Sequence, residues 1–523
     1  MIRRSKVLSV LSIVGISTML LAACGNNDNE ETTADTSNNN NNNNENVEVN
    51  DDNNNDGNAE EAGEPVVIEM MANLHTPETP DDFLKEKMEE TFNVELDIQW
   101  VPDGNYEERL NTAFATGTLP MVVPMGFDMY NQFKDPIRAG EFWEIEPYLD
   151  EFENLSKLKP EILDNTRVDG KLYALYQGRP LSRQGVIYRK DWADNLGIDT
   201  PTNTEEVMEM ARAFSEDDPN ESGSDDTIGL SDRSDLVYGA FKTISSWFGT
   251  PNWWGEQDGE LLPEFMFDEY IESMDFMKEL HSNGYMNQDF PVTSKDDQQA
   301  AFKNGSSGMY IGSMADVLGL HSDAVQLNPD LEYDVFNYVE GPHGEYNVWS
   351  IPGYGSVVLF PKAAYEDEDE LRQVLGFYDQ LMTPEGANLL VWGEEGTHYE
   401  IEGDGVNWIE DNMNLVDTQI RPFLSLEIGE PETNNRYEMS STYETKVKAD
   451  ELVIDNNDYL VHDPTITLDS ETFILHGDRL QQMINDATHQ YILGQIDLDE
   501  FNEIVENWKS EGGEAIIEEY NAQ

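Results

Sequence analysis

The sequence predicts an α/β protein with parallel strands, and three observations support this prediction. Short apolar segments alternate with amphipathic helical patterns from Pro65 onward. Helix start signals, such as Thr79-Pro80-Asp81, separate these segments. Glycine and proline, as in Gly117 and Pro120, end the helices. Strands that alternate with helices at this spacing are typical of a parallel sheet covered by helices.

The first five elements follow this order. Residues 66–70 form an apolar strand, and a helix follows with an apolar face of Phe83, Leu84, Met88 and Phe92. Residues 94–100 alternate apolar and polar side chains, which predicts a half-buried strand. The next helix turns Tyr106, Leu110, Ala113 and Phe114 inward, and residues 121–125 form the third strand.

The remaining chain repeats the same two kinds of element. Thr202 begins a helix and Glu205 follows three residues later, which is the pattern of a capping box. Strands are predicted at 186–188, 309–311 and 356–360, and helices at 264–283, 296–304, 369–382 and within 470–520. We expect Tyr188, Trp192 and Trp100 to be core residues, because they lie on regular elements.

The N-terminus has the pattern of a secretory signal. Arg3, Arg4 and Lys6 precede an apolar run that ends at Ala23, and this run is too short for a comfortable membrane span. Leu21-Ala22-Ala23-Cys24 resembles the bacterial lipobox, and Cys24 is the single cysteine of the chain. The resemblance implies cleavage before Cys24 and lipidation of its thiol, usually with further acylation. The alternative is an ordinary signal peptide with a chance cysteine. We therefore predict a signal peptide at 1–23 and a protein anchored outside the cytoplasmic membrane by lipid alone.

Residues 24–64 predict a disordered tether, because they are rich in Asn, Asp and Glu and have almost no apolar side chains. The whole chain carries 106 acidic and 30 basic residues, a formal net charge of −76. Only a small part of this acid excess lies in the tether, so it is spread over the folded body. Such a field repels nucleic acid and anionic lipid headgroups, and it suits a protein that works in high salt.

The order of several segments resembles one family, the solute-binding proteins (family 1) of carbohydrate ABC importers, in particular the large lipoprotein and alginate-oligosaccharide binders. The match covers about 65–520, and the segments that carry it are YEERLNTAFATGTLP (106–120), GVIYRKDWADNLGIDTP (185–201), DDPNESGSDDTIG (217–229), AFKNGSSGMYIGSM (301–314), YVEGPHGEYNVWSIPGYGSVVLFPK (338–362) and FYDQLMTPEG (377–386).

This resemblance implies a type II periplasmic-binding-protein-like fold: two α/β lobes, a ligand cleft between them and three hinge crossings. We place lobe 1 at 65–183 and 350–400, and lobe 2 at 184–349 and 401–523. It also implies a monomer that binds an oligosaccharide, closes over it and delivers it to the transmembrane subunits of an ABC permease.

One loop has the spacing of a calcium site. Oxygen side chains alternate at Asp218, Asn220, Ser222, Ser224 and Asp226, with glycine at the sixth position, as in a calcium-binding loop. The twelfth position is Gly229 and lacks the usual glutamate, and Thr227 replaces the acid that often follows the ninth position in the resembling proteins. The alternatives are one structural calcium ion and a solvated acidic loop.

Aromatic residues near the predicted crossings are candidates for sugar stacking, because sugars present C–H faces to aromatic rings. For each of them, packing in a core is an equal alternative. Arg183 could hold a uronate carboxylate, whereas ion pairing is the alternative for Arg183, Arg189 and Arg421. The predicted ligand-binding residues are Trp247, Trp253 and Trp254 in a loop at 246–255, with Trp349, Tyr354, Trp392, Tyr399 and Arg183.

Catalytic motifs are absent from the sequence. It has no His-Glu-x-x-His helix, no Gly-x-Ser-x-Gly elbow and no Walker phosphate loop, and its many acids make carboxylate pairs uninformative. We therefore predict a binding protein with no catalytic residues. The alternative is a surface-anchored polysaccharide hydrolase or lyase.

Overall fold

The structure is a computed structural model that describes residues 65–76, 78–403 and 405–523. The predicted signal peptide, Cys24 and the tether at 24–64 lie outside the described residues. Among the described residues, every helix is too short or too polar to cross a bilayer.

Strands and helices alternate as the sequence predicts. The strands are β1 (Val66–Leu74), β2 (Val94–Pro102), β3 (Val123–Gly126), β4 (Ala174–Gly178), β5 (Gln184–Arg189), β6 (Ile228–Leu230), β7 (Trp254–Gln257), β8 (Glu260–Pro263), β9 (Ser307–Ser313), β10 (Tyr333–Phe336), β11 (Val348–Trp349), β12 (Tyr354–Leu359), β13 (Tyr399–Glu402), β14 (Gly405–Trp408) and β15 (Leu460–Val461).

The α-helices are α1 (Phe83–Phe92), α2 (Asp103–Thr116), α3 (Phe127–Gln132), α4 (Lys134–Arg138), α5 (Glu146–Leu149), α6 (Pro160–Asn165), α7 (Lys190–Leu196), α8 (Thr204–Glu216), α9 (Ala240–Trp247), α10 (Asp268–Ser282), α11 (Lys295–Lys303), α12 (Val317–Ala324), α13 (Glu368–Leu381), α14 (Pro384–Trp392), α15 (Met413–Leu415), α16 (Pro431–Asn434), α17 (Glu444–Asp455), α18 (Glu471–Ile492), α19 (Leu498–Trp508) and α20 (Glu514–Asn521).

The first sheet has the order β2-β1-β3-β12-β4. β1 and β2 are parallel from the pair Val66/Val94 to the pair Leu74/Pro102. A parallel bridge between Met70 and Val122 joins them to β3. β12 is antiparallel to both β3 and β4. The carboxyl ends of β1, β3 and β4 therefore lie at the same edge of the sheet as the start of β12.

The second sheet has the order β10-β5-β9-β6. β5 is antiparallel to β9 and to β10, and β6 is parallel to β9. The carboxyl ends of β6, β9 and β10 therefore lie at the edge where β5 begins. Each sheet thus contains one strand that runs against the others, directly next to a segment that joins the two sheets.

Separate hydrophobic cores cover the two sheets. The first core contains side chains from Ile68 to Tyr176 and from Tyr354 to Ile428. The second core runs from Val186 to Val348 and takes in the C-terminal helices up to Tyr520. We call the residues of the first core and their elements the first lobe, and those of the second core the second lobe. This is the type II periplasmic-binding-protein-like architecture that the sequence predicts.

The first core extends past residue 400, where we expected lobe 1 to end. Val416, Ile420, Phe423 and Leu426 are buried in it. The chain has returned to the second lobe by Ala449, which is buried in a small third core with Ile187 and Tyr310. We therefore propose a third crossing between 429 and 448.

The start of α8 differs by one residue from the capping box expected at Thr202 and Glu205. Asn203 is the N-cap, and its side chain accepts a hydrogen bond from the backbone N–H of Glu206. The Glu206 carboxylate accepts from the backbone N–H and hydroxyl of Thr202. Asparagine caps a helix at least as well as threonine, so the helix begins one residue later than expected.

Candidate functional site

The strands of both sheets point their carboxyl ends towards the segments that join the lobes. β4 ends at Gly178 and β5 begins at Gln184, so the first crossing is 179–183. The Arg179 N–H donates to the Gly353 carbonyl at 2.8 Å, and the Ile351 N–H donates to the Leu181 carbonyl at 2.8 Å. The first two crossings therefore lie side by side. In open α/β sheets, ligands bind in the crevice outside the carboxyl ends of the strands, and this edge is the expected cleft.

Two arginines begin and end the first crossing. Arg179 is exposed and Arg183 is half-buried. A Cβ built on Gly355 would come within 2.7 Å of Arg179 Nε, so the Arg179 side chain lies directly against the backbone at the start of β12. Neither guanidinium has an ion pair, hydrogen bond or ring partner among the described residues, whereas Arg189 and Arg421 pair with Asp191 and Asp417.

Trp349 and Tyr354 flank the second crossing and are both buried. Trp349 Nε1 donates to Thr243 Oγ1 at 3.1 Å, and Thr243 Oγ1 donates to Gln184 Oε1 at 3.3 Å. The ring of Tyr238, which is 50 % exposed, lies edge-on to Trp349 at 5.7 Å. Trp349 therefore supports an exposed tyrosine ring at the edge of the second sheet.

The three tryptophans predicted in a loop at 246–255 are placed differently. Trp247 is the last residue of α9 and is 1 % exposed in the second core. Trp254 is on β7 and packs edge-on against Tyr520 at 4.8 Å. Trp253 is half-buried, with Lys242 Nζ 4.4 Å from its ring. The loop prediction fails for Trp247, because the serines of α9 are buried and hide its helical pattern. It also fails for Trp254, which begins β7 and pairs with Pro263 of β8.

Trp392 and Tyr399 come together in a small aromatic cluster. They share a core with Val406, and the Trp392 indole N–H donates to the Tyr437 carbonyl at 2.9 Å. Trp408, on the paired strand β14, lies 4.5 Å from Trp392 and is partly exposed. Trp408 is therefore the ring that the two buried aromatics support at the surface.

A cavity of about 710 Å³ opens beside Trp408. One wall is the β13–β14 hairpin, and the other contains Leu318 of α12 and Tyr443, which packs against the third core. The Tyr443 ring stacks on His321 at 4.0 Å. The carboxylates of Glu400, Glu402, Glu410 and Asp411 line the cavity together with Asn407. The volume lies in the range of small-molecule sites, and the lining is more acidic than is usual for them.

The predicted calcium loop is compact. Asp226 Oδ1 accepts from Asn220 Nδ2 at 3.1 Å and from Ser222 Oγ at 3.0 Å. The Gly223 N–H donates to Asp218 at 3.0 Å, and the φ of +73° at Gly223 makes the sharp turn that this position requires. Ser224 follows this turn, and its N–H donates to Ser222 Oγ at 3.2 Å. The side chains of Asn220, Ser222 and Asp226, three of the five predicted ligands, thus face one another.

Thr227 does not contribute a further ligand to the predicted calcium site. Its hydroxyl donates to the Phe214 carbonyl at 2.8 Å, away from the loop. The donors that remain are two carboxylates, one amide and two serines, an all-oxygen set of the kind that calcium accepts. No group of three or more His, Cys, Asp or Glu side chains suited to a metal occurs in the part of the chain that the structure describes.

Sequence reasoning missed Arg179, Tyr238, Trp408 and Tyr443. Arg179 was detectable, because it stands four residues before Arg183 at the same predicted crossing. Trp408 and Tyr443 lie on segments with little periodicity, and only their partners across the chain reveal their exposure.

The comparisons agree with this architecture. The profile of the bacterial extracellular solute-binding proteins matches residues 75–388. The polygalacturonan/rhamnogalacturonan-binding protein YtcQ of Bacillus subtilis (strain 168) is 40 % identical over 87 % of this chain and 90 % of its own. Lipoprotein LipO of the same organism is 30 % identical over 88 % of this chain and 92 % of its own.

Solved structures show the same fold at lower identity. The HMO-binding solute-binding protein from Bifidobacterium longum infantis ATCC 15697 has a TM-score of 0.67 and 16 % identity, over 88 % of this chain and 98 % of that chain. An EF-hand mutant of the Streptococcus pneumoniae ABC-transporter substrate-binding protein FusA has a TM-score of 0.57 and 18 % identity, over 87 % of this chain and 99 % of that chain. This chain belongs to the family of bacterial extracellular solute-binding proteins, which bind solutes and are not enzymes.

Proposed function

We propose that this protein binds an oligosaccharide between its two lobes and delivers it intact to the transmembrane subunits of an ABC importer. The observation that carries the proposal is the cavity of about 710 Å³, which has walls from both lobes and partly exposed aromatic rings. Rings and carboxylates together match a sugar, because its C–H faces stack and its hydroxyls donate hydrogen bonds. Binding favours the conformation in which both walls contact the ligand.

The set of ligand-binding residues that we propose differs from the set expected from the sequence. Tyr238 is an exposed ring, and Trp408 and Tyr443 are partly exposed rings. Trp349, Trp392 and Tyr399 support those rings from beneath, and Tyr354 packs beside Phe127 at 5.7 Å. Trp247 and Trp254 belong to the second core, so we leave them out. Trp253 and Arg183 stay candidates.

The relatives support the remaining parts of the proposal. YtcQ, named for two acidic polysaccharides, makes an oligogalacturonide the first ligand to test. LipO, a lipoprotein, supports a lipid anchor at Cys24 and a place outside the cytoplasmic membrane. We propose that the anchored protein acts as a monomer.

We also propose that Asp218, Asn220, Ser222, Ser224 and Asp226 hold one structural calcium ion. The EF-hand of FusA, a protein with the same fold, supports a calcium loop in this chain. Calcium should raise the melting temperature by about 2–5 °C, and EDTA should reverse the rise. Differential scanning fluorimetry measures the melting temperature with calcium and with EDTA. Asp226→Asn should remove the response, and a response that this variant retains would place the ion elsewhere.

Titration calorimetry with oligogalacturonides, followed by chromatography of the mixture, tests the main proposal. We expect binding and an unchanged glycan, whereas shortened or unsaturated products would identify a hydrolase or lyase. Trp408→Ala should weaken binding more than tenfold, if the sugar stacks on this ring as strongly as a nucleic-acid base does, on the order of 1–3 kcal/mol. Phe473→Ala is the control, because Phe473 is an exposed ring on α18 outside the cavity.

A further inference from the structure

Most of the arginines that the structure describes pair with acids of the same chain. Arg138, Arg167, Arg189, Arg212, Arg233, Arg372, Arg421, Arg436 and Arg479 each pair with at least one carboxylate. Arg109 lies 2.9 Å from the side-chain oxygen of Gln99 once that amide is oriented to accept. Among the arginines that the structure describes, only Arg179 and Arg183 have no such partner. With more than three acids for every cation in the chain, two unpaired neighbours need an explanation.

Both arginines lie where the fold expects a ligand. Arg179 follows the carboxyl end of β4, and Arg183 precedes β5 at the facing edge of the second sheet. Their Cα atoms are at most about 14 Å apart, because four residues separate them. An oligosaccharide of a few sugar units is long enough to span this separation.

The backbone beside Arg179 leaves room for its guanidinium. A Cβ on Gly355 would lie 2.7 Å from Arg179 Nε and 3.4 Å from Nη2, so a larger residue at this position would displace the Arg179 side chain. The register of β12 against β4 also shifts between Tyr354 and Ser356, directly beside it. The first two crossings hold the Arg179 backbone through its hydrogen bond to Gly353.

The cavity beside Trp408 has the opposite charge. Glu400, Glu402, Glu410 and Asp411 line it, and they disfavour a ligand carboxylate there while they accept hydrogen bonds from sugar hydroxyls. A glycan that carries carboxylates must place them elsewhere in the cleft. The unpaired guanidinium groups are suitable, because the planar fork of arginine binds a carboxylate through two hydrogen bonds.

We propose that Arg179 and Arg183 bind the carboxylates of an acidic oligosaccharide and so select uronate-containing glycans over neutral ones. This inference rests on the proposed function, and it names the residues that determine its specificity. The two arginines lie at the two ends of the first crossing, one beside each sheet, so the carboxylates of one glycan can contact both edges of the cleft.

Titration calorimetry with an oligogalacturonide and with its fully methyl-esterified form tests this selection, because esterification removes the charge and keeps the sugar. The wild-type protein should bind the acid about a hundredfold more tightly than the ester, about tenfold for each arginine, because hydrogen bonds to charged groups are stronger than those to neutral groups. Arg179→Gln and Arg183→Gln should each lower the affinity for the acid about tenfold, because each variant removes one charge-assisted pair. Their affinity for the ester should stay unchanged.

Arg479→Gln is the matched control, because it removes one positive charge on α18, where Arg479 pairs with Glu511. It should change neither affinity. If the wild type binds both forms equally, or if the two variants keep the full wild-type preference for the acid, the selection is refuted while oligosaccharide binding stands. If the wild type binds neither form, both proposals fail.

Discussion

At the residue scale, Asp232 is a buried acid that caps a helix. It is 1 % exposed, and its Oδ1 accepts from the backbone N–H of Ala240 at 2.9 Å, at the start of α9. Burial raises the pKa of Asp232 to about 6, although the Ala240 N–H and Arg233 oppose this shift. The native state therefore binds more protons than the unfolded state between about pH 4 and pH 6, and this group destabilises the fold as the pH rises through that window.

Asp232→Asn should therefore stabilise the protein at pH 7, since the amide oxygen can keep the cap and no charge is buried. The shift corresponds to at most about 3 kcal/mol at 1.36 kcal/mol per pKa unit. Urea denaturation at pH 7 and pH 4 measures the effect, and the difference between variant and wild type should vanish at pH 4. If the variant is less stable than the wild type at pH 7, the folded protein stabilises the charged Asp232 carboxylate and the prediction is wrong.

Single residues also mark how far sequence reasoning reaches. Tyr188 and Trp192 are buried as predicted, because every residue of β5 is buried and Trp192 lies on the buried face of α7. Trp100 is half-buried and packs edge-on to Phe423 at 5.1 Å, which no local pattern reveals. Trp247 shows the opposite problem. It follows Ser245 and Ser246, and its burial depends on neighbours from distant segments that cover α9 on all sides.

At the element scale, α4 of the first lobe contacts the start of α18 in the second. Lys134 Nζ lies 3.3 Å from Asp469 Oδ1, and Arg138 contacts the other oxygen of Asp469. Gln523 donates to the Asp469 carbonyl at 2.7 Å and accepts from its N–H, which positions this acid. Among the described ion pairs, these are the ones that join the two lobes outside the crossings.

Asp469→Asn should loosen the lobes, because it leaves Lys134, whose side chain is 10 % exposed, without its carboxylate. We expect a loss of about 1–3 kcal/mol in unfolding free energy and a larger radius of gyration in small-angle scattering of the ligand-free protein. Asp323→Asn is the control, since Asp323 pairs with Lys303 within the second lobe. Equal scattering from both variants would show that the contact does not hold the lobes together.

The elements also show why the sequence did not predict that residues 413–426 pack in the first core. Residues 413–426 form short α, π and 3-10 turns, so the 3.6-residue periodicity that identifies a helix is absent. Sequence patterns predicted six strands of the two sheets and most of the longer helices. They missed β4, β6 and β10, and they did not predict that β5 and β12 run antiparallel to their neighbours. The assignment of residues 413–426 to the first core depends on contacts with distant strands. The same limit applies to the β13–β14 hairpin, which forms one wall of the cavity.

At the scale of the whole molecule, the net charge of −76 opposes the approach of an acidic glycan. Two unpaired arginines act only at contact, while the field of the acidic surface reaches about 30 Å in 0.01 M salt and about 10 Å in 0.1 M. Low salt is therefore enough to screen the long-range repulsion, whereas higher salt is needed to weaken the short-range contacts of the arginines. The salt dependence of binding thus reports on the repulsion and on the contacts separately.

The association rate constant of an oligogalacturonide should rise about tenfold or more between 0.01 M and 0.15 M NaCl, because screening removes the repulsion that slows encounter. The dissociation rate constant should rise at higher salt, as the contacts of Arg179 and Arg183 weaken. The methyl-esterified glycan should show neither change. Stopped-flow tryptophan fluorescence measures both rates. Arg183→Gln should keep the salt dependence of association, and its dissociation rate should depend less on salt than that of the wild type, because only Arg179 remains. An association rate that falls with salt would mean that the cleft attracts the acid over long range, against the sign of the charge on the rest of the surface.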